Sequence, residues 1–240
     1  MMFSIYETTK DWATRSGFST LAEPSMPSTS DLAKERAIAE PEPLAIILTD
    51  HQTKGRGRGT NTWTTPNAGH ALLSTWSFML KEPAQGVMAP AIGLALFKAV
   101  NSTWFGLPWS LKAPNDLYLG DRKVGGLLLE GVQEGHRQRL LVGLGLNIFG
   151  HPGVDQSGAL IDFVNEHEVD PEIWRQFLDR LLLELTATLM VTRTQLHLGQ
   201  RRGLVAALNR FPKTVEAYES VDADGSLKLK NGQTVAWHSL

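Results

Sequence analysis

The chain contains no cysteine, which removes disulfide bonds, thiolate metal sites and a cysteine nucleophile together. It also has no apolar run approaching the length that spans a bilayer. Its start, Met1-Met2-Phe3-Ser4-Ile5-Tyr6-Glu7, turns charged too soon for a secretory leader. A cytoplasmic protein with no membrane association is the expectation. Neither sign of charge dominates: 23 Lys and Arg against 25 Asp and Glu leave a formal net charge of −2. A chain built to coat nucleic acid would need a large cationic excess to neutralise phosphates. Any anion site must therefore be local. The 7 histidines are scattered, and none has a helix-spaced partner in a His-Glu-x-x-His pattern, so no side chain is assigned as a metal ligand.

What is present is a composition near the globular average, 42% apolar and 20% charged over 240 residues, enough for a large core with a small appendage. The stretch through Ser25-Met26-Pro27-Ser28-Thr29-Ser30 is rich in Ser, Thr and Pro and reads as an irregular lead-in. A helix is predicted from Asp31 to Ala37, with Ser28, Thr29 or Ser30 as its cap. Leu44 to Leu48 is a short apolar run that favours a buried strand, and Ala71 to Phe78 reads as another. Ala89 to Trp104 has helical spacing, and strands are predicted at Trp109–Lys112, Val124–Glu130 and Leu140–Asn147. Asp170-Pro171 starts a long helix whose apolar stripe is Ile173, Phe177, Leu181, Leu185 and Leu189. Beyond Phe211-Pro212, Val215–Ser220, Gly225–Lys230 and Thr234–His238 read as short β segments, with Asn231-Gly232 as a hairpin turn. The expected class is α+β, a mixed sheet flanked by helices, with residues 1–210 as one domain and 211–240 as a short β module.

Three stretches carry chemistry. Gln52-Thr53-Lys54-Gly55-Arg56-Gly57-Arg58-Gly59-Thr60-Asn61-Thr62-Trp63 alternates glycine with arginine. Its backbone amides and guanidinium forks suit a carboxylate or phosphate, and a flexible basic surface loop is the bland alternative. Neither the Walker nor the dinucleotide glycine signature fits it. Lys112-Ala113-Pro114-Asn115-Asp116 bends the chain and sets an amide beside a carboxylate, and Lys123-Val124-Gly125-Gly126 follows. Gly143-Leu144-Gly145-Leu146-Asn147 is an apolar strand with small residues and a terminal asparagine.

Taken in that order, the three stretches resemble the biotin-protein ligase family, over roughly residues 28 to 190. The resemblance implies a biotin/lipoate ligase-like catalytic domain with a short SH3-like C-terminal module. It implies a reaction that joins biotin and ATP, with Mg²⁺, into biotinyl-adenylate and then passes biotin to one lysine of a carboxylase carrier domain. On this basis Arg58, Lys123 and Asp116 are the expected catalytic residues. The first two oppose the charge of the reacting anions, and Asp116 orients or deprotonates the acceptor lysine. Ser28, Thr29 and Gln52, with Ser30 beside them, are expected at the ureido ring. Gly55, Arg56 and Gly57 would cradle the anion, with Lys112 as a second phosphate contact. Trp63 would cover the adenylate, Asn115 and Asn147 would contact the nucleotide, and Gly126 would let the ligand approach. The chain departs from the family at Gly59-Thr60-Asn61, where Arg-Gly-Arg is common, at Ala113, where a tryptophan is usual, and at Ser30, where an asparagine is usual.

Two other classes are weighed. A lipoate or octanoate ligase or transferase would favour a glycine run beside a His-Asp pair, which is absent here. A degenerate, noncatalytic biotin-binding relative would explain the departures, but Arg56, Arg58, Asn115, Lys123 and Asn147 argue against it. Too few residues precede Ser28 for the helix-turn-helix of the repressor-type members, so no DNA partner is expected. A monomer or homodimer is expected.

Overall fold

The computed structural model describes residues 3–237. In chain order the elements are α1 (Ile5–Arg15), β1 (Ser19–Met26), α2 (Thr29–Arg36), β2 (Leu44–Gln52), β3 (Ala71–Leu80), α3 (Met88–Thr103), β4 (Trp109–Lys112), β5 (Asp116–Leu119), β6 (Arg122–Glu134), β7 (Arg137–Asn147), α4 (Pro171–Val191), α5 (Leu198–Leu208), β8 (Tyr218–Val221), β9 (Leu227–Leu229) and β10 (Thr234–Val235). They group into two units, Met1–Ala84 with Val124–Arg175 and Gln85–Lys123 with Gln176–Leu240.

The first unit is built on a mixed sheet in the order β1-β2-β3-β7-β6. β1 and β2 are parallel and the other neighbours antiparallel. A parallel pair needs a crossover, and α2 supplies it. Alternation along β3 then separates the two faces. Thr75 points to the α2 side, where Ala33 and Ala37 pack with Met26, Ile47 and Leu141. Trp76 points the other way, and its ring lies 5.8 Å from that of Trp12 in α1.

The irregular lead-in expected through residue 30 is overturned by α1 and β1. Ser4 caps α1, its Oγ accepting from the Glu7 amide at 3.2 Å, and Ile5, Tyr6, Thr9, Trp12 and Ala13 bury one stripe of the helix. Thr9 Oγ1 donates to Ile5 O at 2.7 Å and accepts from Trp174 Nε1 at 2.9 Å. A hydroxyl that looked loop-like is satisfied inside the packed helix. β1 can be half polar because it lies at the end of the sheet, and only its Met26 is buried.

Arg139 of β7 is 2% exposed. Its guanidinium donates to Ser77 Oγ at 2.7 Å, Ser77 O at 2.8 Å, Glu42 O at 2.9 Å and Glu40 O at 3.1 Å. Burial lowers its pKa and the Glu40 charge opposes that fall, but a guanidinium stays protonated. The side chain pins the segment between α2 and β2 onto the sheet. Arg139→Met would leave these acceptors without their donor and is expected to cost about 3 kcal/mol of stability, read from urea unfolding.

In the second unit, the β4–β5 hairpin, α3, α5 and the body of α4 share aromatic packing. Trp104 lies 5.3 Å from Phe177 and 6.3 Å from Trp109, and Tyr118 lies 4.6 Å from Phe211. Phe177, Leu181 and Leu185 of the predicted stripe are buried, joined by Leu178. α5 has no counterpart among the expected elements. Its two glycines lower helix propensity, and packing of Leu204, Ala207 and Leu208 with a His197–Gln200 cap makes it a helix. Gly93, buried in α3, has nothing within 4 Å of an ideal Cβ. Gly93→Ala is therefore expected to raise stability by about 0.5–1 kcal/mol, read as a higher thermal midpoint.

The C-terminal segments form a small antiparallel sheet in the order β10-β9-β8. Gly225 and Gly232 take φ of +90° and +87° at its turns, the conformation that the Asp-Gly and Asn-Gly pairs favour. The first strand begins at Tyr218 rather than Val215, which is fully exposed. His238 lies outside the described residues. Among the described residues no helix is long and apolar enough to cross a membrane.

Candidate functional site

Ser28 caps α2, its Oγ accepting from the Asp31 amide at 3.3 Å. The next two residues turn onto the sheet. Thr29 donates to Gln52 Oε1 through its amide at 2.8 Å and through Oγ1 at 3.2 Å. Thr75 Oγ1 donates to Thr29 Oγ1 at 2.9 Å and lies 3.2 Å from Ser30 Oγ. Ser28, Thr29, Ser30 and Thr75 are buried, so the cluster is a fixed polar end to an otherwise apolar face. Thr75 belongs to it and was not expected. Its signal was the Ser74-Thr75 pair inside an apolar strand.

The sheet floor beside this cluster is bare. Gly143 pairs with Thr75 and Gly145 with Leu73, and Gly145 pairs on its other side with Gly126 of β6. A Cβ on Gly145 would fall 2.5 Å from Trp63 Cε2 and Cζ2, and one on Gly143 would fall 2.7 Å from Ser30 Oγ. The Trp63 indole therefore lies flat on a strip from which side chains are absent. Its Nε1 is buried without a hydrogen-bond partner among the described residues. Asn147, two residues beyond Gly145 on the same face, donates through Nδ2 to Gly158 O at 3.0 Å, while its Oδ1 is also buried and unmatched. A buried donor or acceptor with no partner at all costs about 1–3 kcal/mol. Such a cost is recovered when a ligand or water meets them.

The arginine loop is a small hairpin. Arg56 bridges Thr62, the Gly57 amide donates to Asn61 O at 2.8 Å and the Trp63 amide donates to Gly55 O at 2.9 Å. Gly55 must be glycine, because a Cβ there would run into Trp63 O. Arg58 to Asn61 form the turn at the tip, closed by Asn61 N to Arg58 O at 3.2 Å, with Gly59 at φ +63°. Arg58 is exposed. Arg56 points elsewhere: Nη1 lies 2.6 Å from Asp31 Oδ1 and 3.1 Å from Glu130 Oε2, and Nη2 lies 3.0 Å from Glu130 Oε1. The hydrogen bonds to Glu130 raise its pKa above the ordinary value, burial works the other way and Asp31 adds to the rise. Neither carboxylate was expected in this role, although Glu130 ends an apolar strand run where a charge is conspicuous.

The second unit holds the remaining expected residues. Asp116 opens β5, and its Oδ1 lies 2.6 Å from Lys123 Nζ; the two side chains are 18% and 37% exposed. Burial first, then the Asp116 charge, raises the pKa of neighbouring Tyr118. Lys112 is exposed, its Nζ 5.7 Å from the centre of the Tyr118 ring and 5.8 Å from that of Phe211. Asn115 sits in the turn after the cis Ala113-Pro114 bond. The Pro114 carbonyl accepts from Trp237 Nε1 at 2.9 Å. The expected residues thus form two groups, one in each unit: the Ser28–Gln52–Trp63–Asn147 face and the Asp116–Lys123 pair.

The first unit thus sets a glycine strip, the Trp63 indole, a buried hydroxyl cluster and an arginine hairpin beside one another. Residues 23–147 match the biotin/lipoate A/B protein ligase family, and the chain belongs to that family. It is 34% identical over 134 residues to biotin-protein ligase 1, chloroplastic, of Arabidopsis thaliana, a match covering 52% of this chain and 35% of that protein. It is 33% identical over 150 residues to the biotin-[acetyl-CoA-carboxylase] ligase of Paracoccus denitrificans, covering 57% and 59%. With the bifunctional ligase/repressor BirA of Escherichia coli it shares 26% over 199 residues, covering 82% of this chain and 59% of the relative. The chain thus spans between about a third and three fifths of these relatives' lengths. In fold it is similar to the biotin protein ligase of Aquifex aeolicus in complex with biotin and ATP, with a TM-score of 0.68 at 20% identity over 90% of this chain and 95% of that one. The Leishmania major biotin protein ligase in complex with biotin gives 0.60 at 20%, over 90% and 96%.

Proposed function

We propose that this protein is an ATP-dependent biotin-protein ligase that forms biotinyl-5'-AMP and transfers the biotinyl group to a lysine of a carboxylase carrier domain. The observation that carries the reading is the bare strip at Gly126 and Gly145 with Trp63 Nε1 and Asn147 Oδ1 buried at its margin without a partner among the described residues. Thr29, Thr75 and Gln52, with Ser28 and Ser30 at the same helix start, present hydroxyls and an amide to the ureido ring. Trp63 covers the apolar body. Gly55 and Gly57 keep the loop backbone close, and Asn115 and Asn147 take the nucleotide.

The chemistry asks for fixed positive charge. A carboxylate and an α-phosphate repel each other on approach, and a cation held where their charge concentrates favours the transition state over both ground states. Arg58 and Lys123 take this role, with Lys112 as a further phosphate contact. Asp116 holds Lys123 in place and orients the acceptor lysine. Mg²⁺ would travel with the ATP phosphates, as that ion commonly does; among the described residues no group of three His, Asp or Glu side chains is set to hold a metal. In this reading residues 1–210 are the catalytic domain and 211–240 a small β module. The protein works in the cytoplasm as a monomer or homodimer.

The test is pyrophosphate release from ATP on adding biotin, lipoate or octanoate, followed by transfer to a carrier domain detected with streptavidin. Biotin alone should support both steps. Response to lipoate instead would replace the reading with a lipoate ligase, and biotin binding without pyrophosphate release would make the protein a noncatalytic binder.

A further inference from the structure

Arg56 alternates with Arg58 in the sequence, yet the two side chains have different surroundings. Trp63, lying on Gly145, and Arg56, forked onto Glu130 of β6 and touching Asp31 of α2, hold the hairpin to the rest of the first unit. Lys34 of α2 adds a second cation 3.6 Å from Glu130 Oε1. The geometry points to Arg56 as a latch that positions the loop, rather than a contact for the bound anion. Two carboxylates already balance its charge, and three of the five guanidinium N–H donors are committed to them.

The latch has three consequences, of which the last two rest on the biotin ligase reading. Asp31 lies in the first turn of α2, the helix whose start carries Ser28, Thr29 and Ser30. Arg56 therefore couples the position of the hairpin to the polar cluster beneath it. Trp63 rides on the same hairpin, so opening the latch lifts the indole from the glycine strip. Arg56 is then a positioning residue whose loss acts on ligand escape. It also masks two carboxylates that would otherwise repel an incoming acid or phosphate.

The hairpin contains tryptic sites at Lys54, Arg56 and Arg58, and Lys54 and Arg58 are kept whichever latch residue is replaced, which gives a test needing no ligand. In the full chain, Glu130→Gln combined with Asp31→Asn should speed cleavage at these two sites by about tenfold, because cleavage follows the open population when reclosing is fast. Mass spectrometry reads the sites separately, and cleavage at Lys10 and Arg15 in α1 should stay at the wild-type rate. A variant that had merely unfolded would be cut at all four. The charge-reversed pair Arg56→Glu with Glu130→Arg, made together with Asp31→Asn and Lys34→Gln so that neither new charge faces its like, should return Lys54 and Arg58 cleavage to within about threefold of wild type, since the attraction is restored. Unchanged loop cleavage in the carboxylate variants, or no recovery in the reversed pair, would overturn the latch.

Biotin dissociation, followed by chasing labelled biotin, should accelerate about tenfold in both Arg56→Ala and Glu130→Gln, with the association rate near wild type. If Arg56→Ala instead raises the KM for ATP while Glu130→Gln changes nothing, Arg56 is an anion contact and the latch assignment fails. A wild-type protein that retains no biotin would remove the ligand reading, and the trypsin pattern would still decide the latch.

Discussion

Lys123→Ala is expected to lower biotin-dependent pyrophosphate release by about 10²–10³-fold, measured at saturating biotin and ATP. The reasoning starts from what the side chain lacks in the folded protein. Lys123 is 37% exposed and its recorded ion pair is with Asp116 at 2.6 Å, so little packing depends on it. A partly exposed pair contributes about 0–1 kcal/mol to stability, and the thermal midpoint should shift by no more than about 3 °C. A large loss of turnover with a small change in midpoint would separate a charge that acts on the reaction from one that holds the fold. Turnover within about threefold of wild type would remove Lys123 from the chemistry, since a fixed cation at developing charge is worth far more. Asp116→Asn divides the roles further. If Asp116 serves only to hold Lys123, adenylate formation falls and transfer to the carrier follows it. If Asp116 also handles the acceptor lysine, transfer falls further than adenylate formation.

Gly145→Val is expected to weaken biotin binding by roughly ten- to a hundredfold, the range that overpacking by 1–3 kcal/mol allows, measured by titration calorimetry. Even the first carbon would sit 2.5 Å from the Trp63 ring, so the indole has to leave the strip, and the isopropyl group then fills the space a ligand would use. Gly143→Ala is a milder comparison that strikes the other end. Its Cβ meets Ser30 Oγ at 2.7 Å and Leu128 O at 3.2 Å, so it disturbs the hydroxyl cluster and not the wall. Equal biotin affinity in wild type and Gly145→Val would move the ligand off this face altogether.

Much of this arrangement was legible because several signals are local. The apolar runs of β2, β3 and β7, the Asp170-Pro171 start of α4 and the Asn231-Gly232 turn each depend on neighbours within a few positions. The lead-in misled because α1 carries Thr9 in its buried stripe and because β1 is a half-polar end strand. Ser28 was expected among the cap residues, and capping by a hydroxyl is a near-neighbour effect. Arg56 was expected as a ligand contact, and its recorded partners, Asp31 and Glu130, lie 25 and 74 positions away. Such a pairing depends on strand order, which periodicity does not encode. Thr75 is the same case: its role follows from register with Gly143 across two strands distant in sequence.

The polar character of β1 also bears on how the chain behaves when crowded. As the end strand of the first unit's sheet, β1 offers the backbone groups on which a foreign strand could dock and seed aggregation. Pro24 supplies no amide there, and Glu23, Pro24 and Ser25 are exposed. An incoming strand would forfeit a rung of its ladder at Pro24 and meet a carboxylate beside it. Edge-to-edge stacking is discouraged by the residues that made this stretch hard to recognise as a strand.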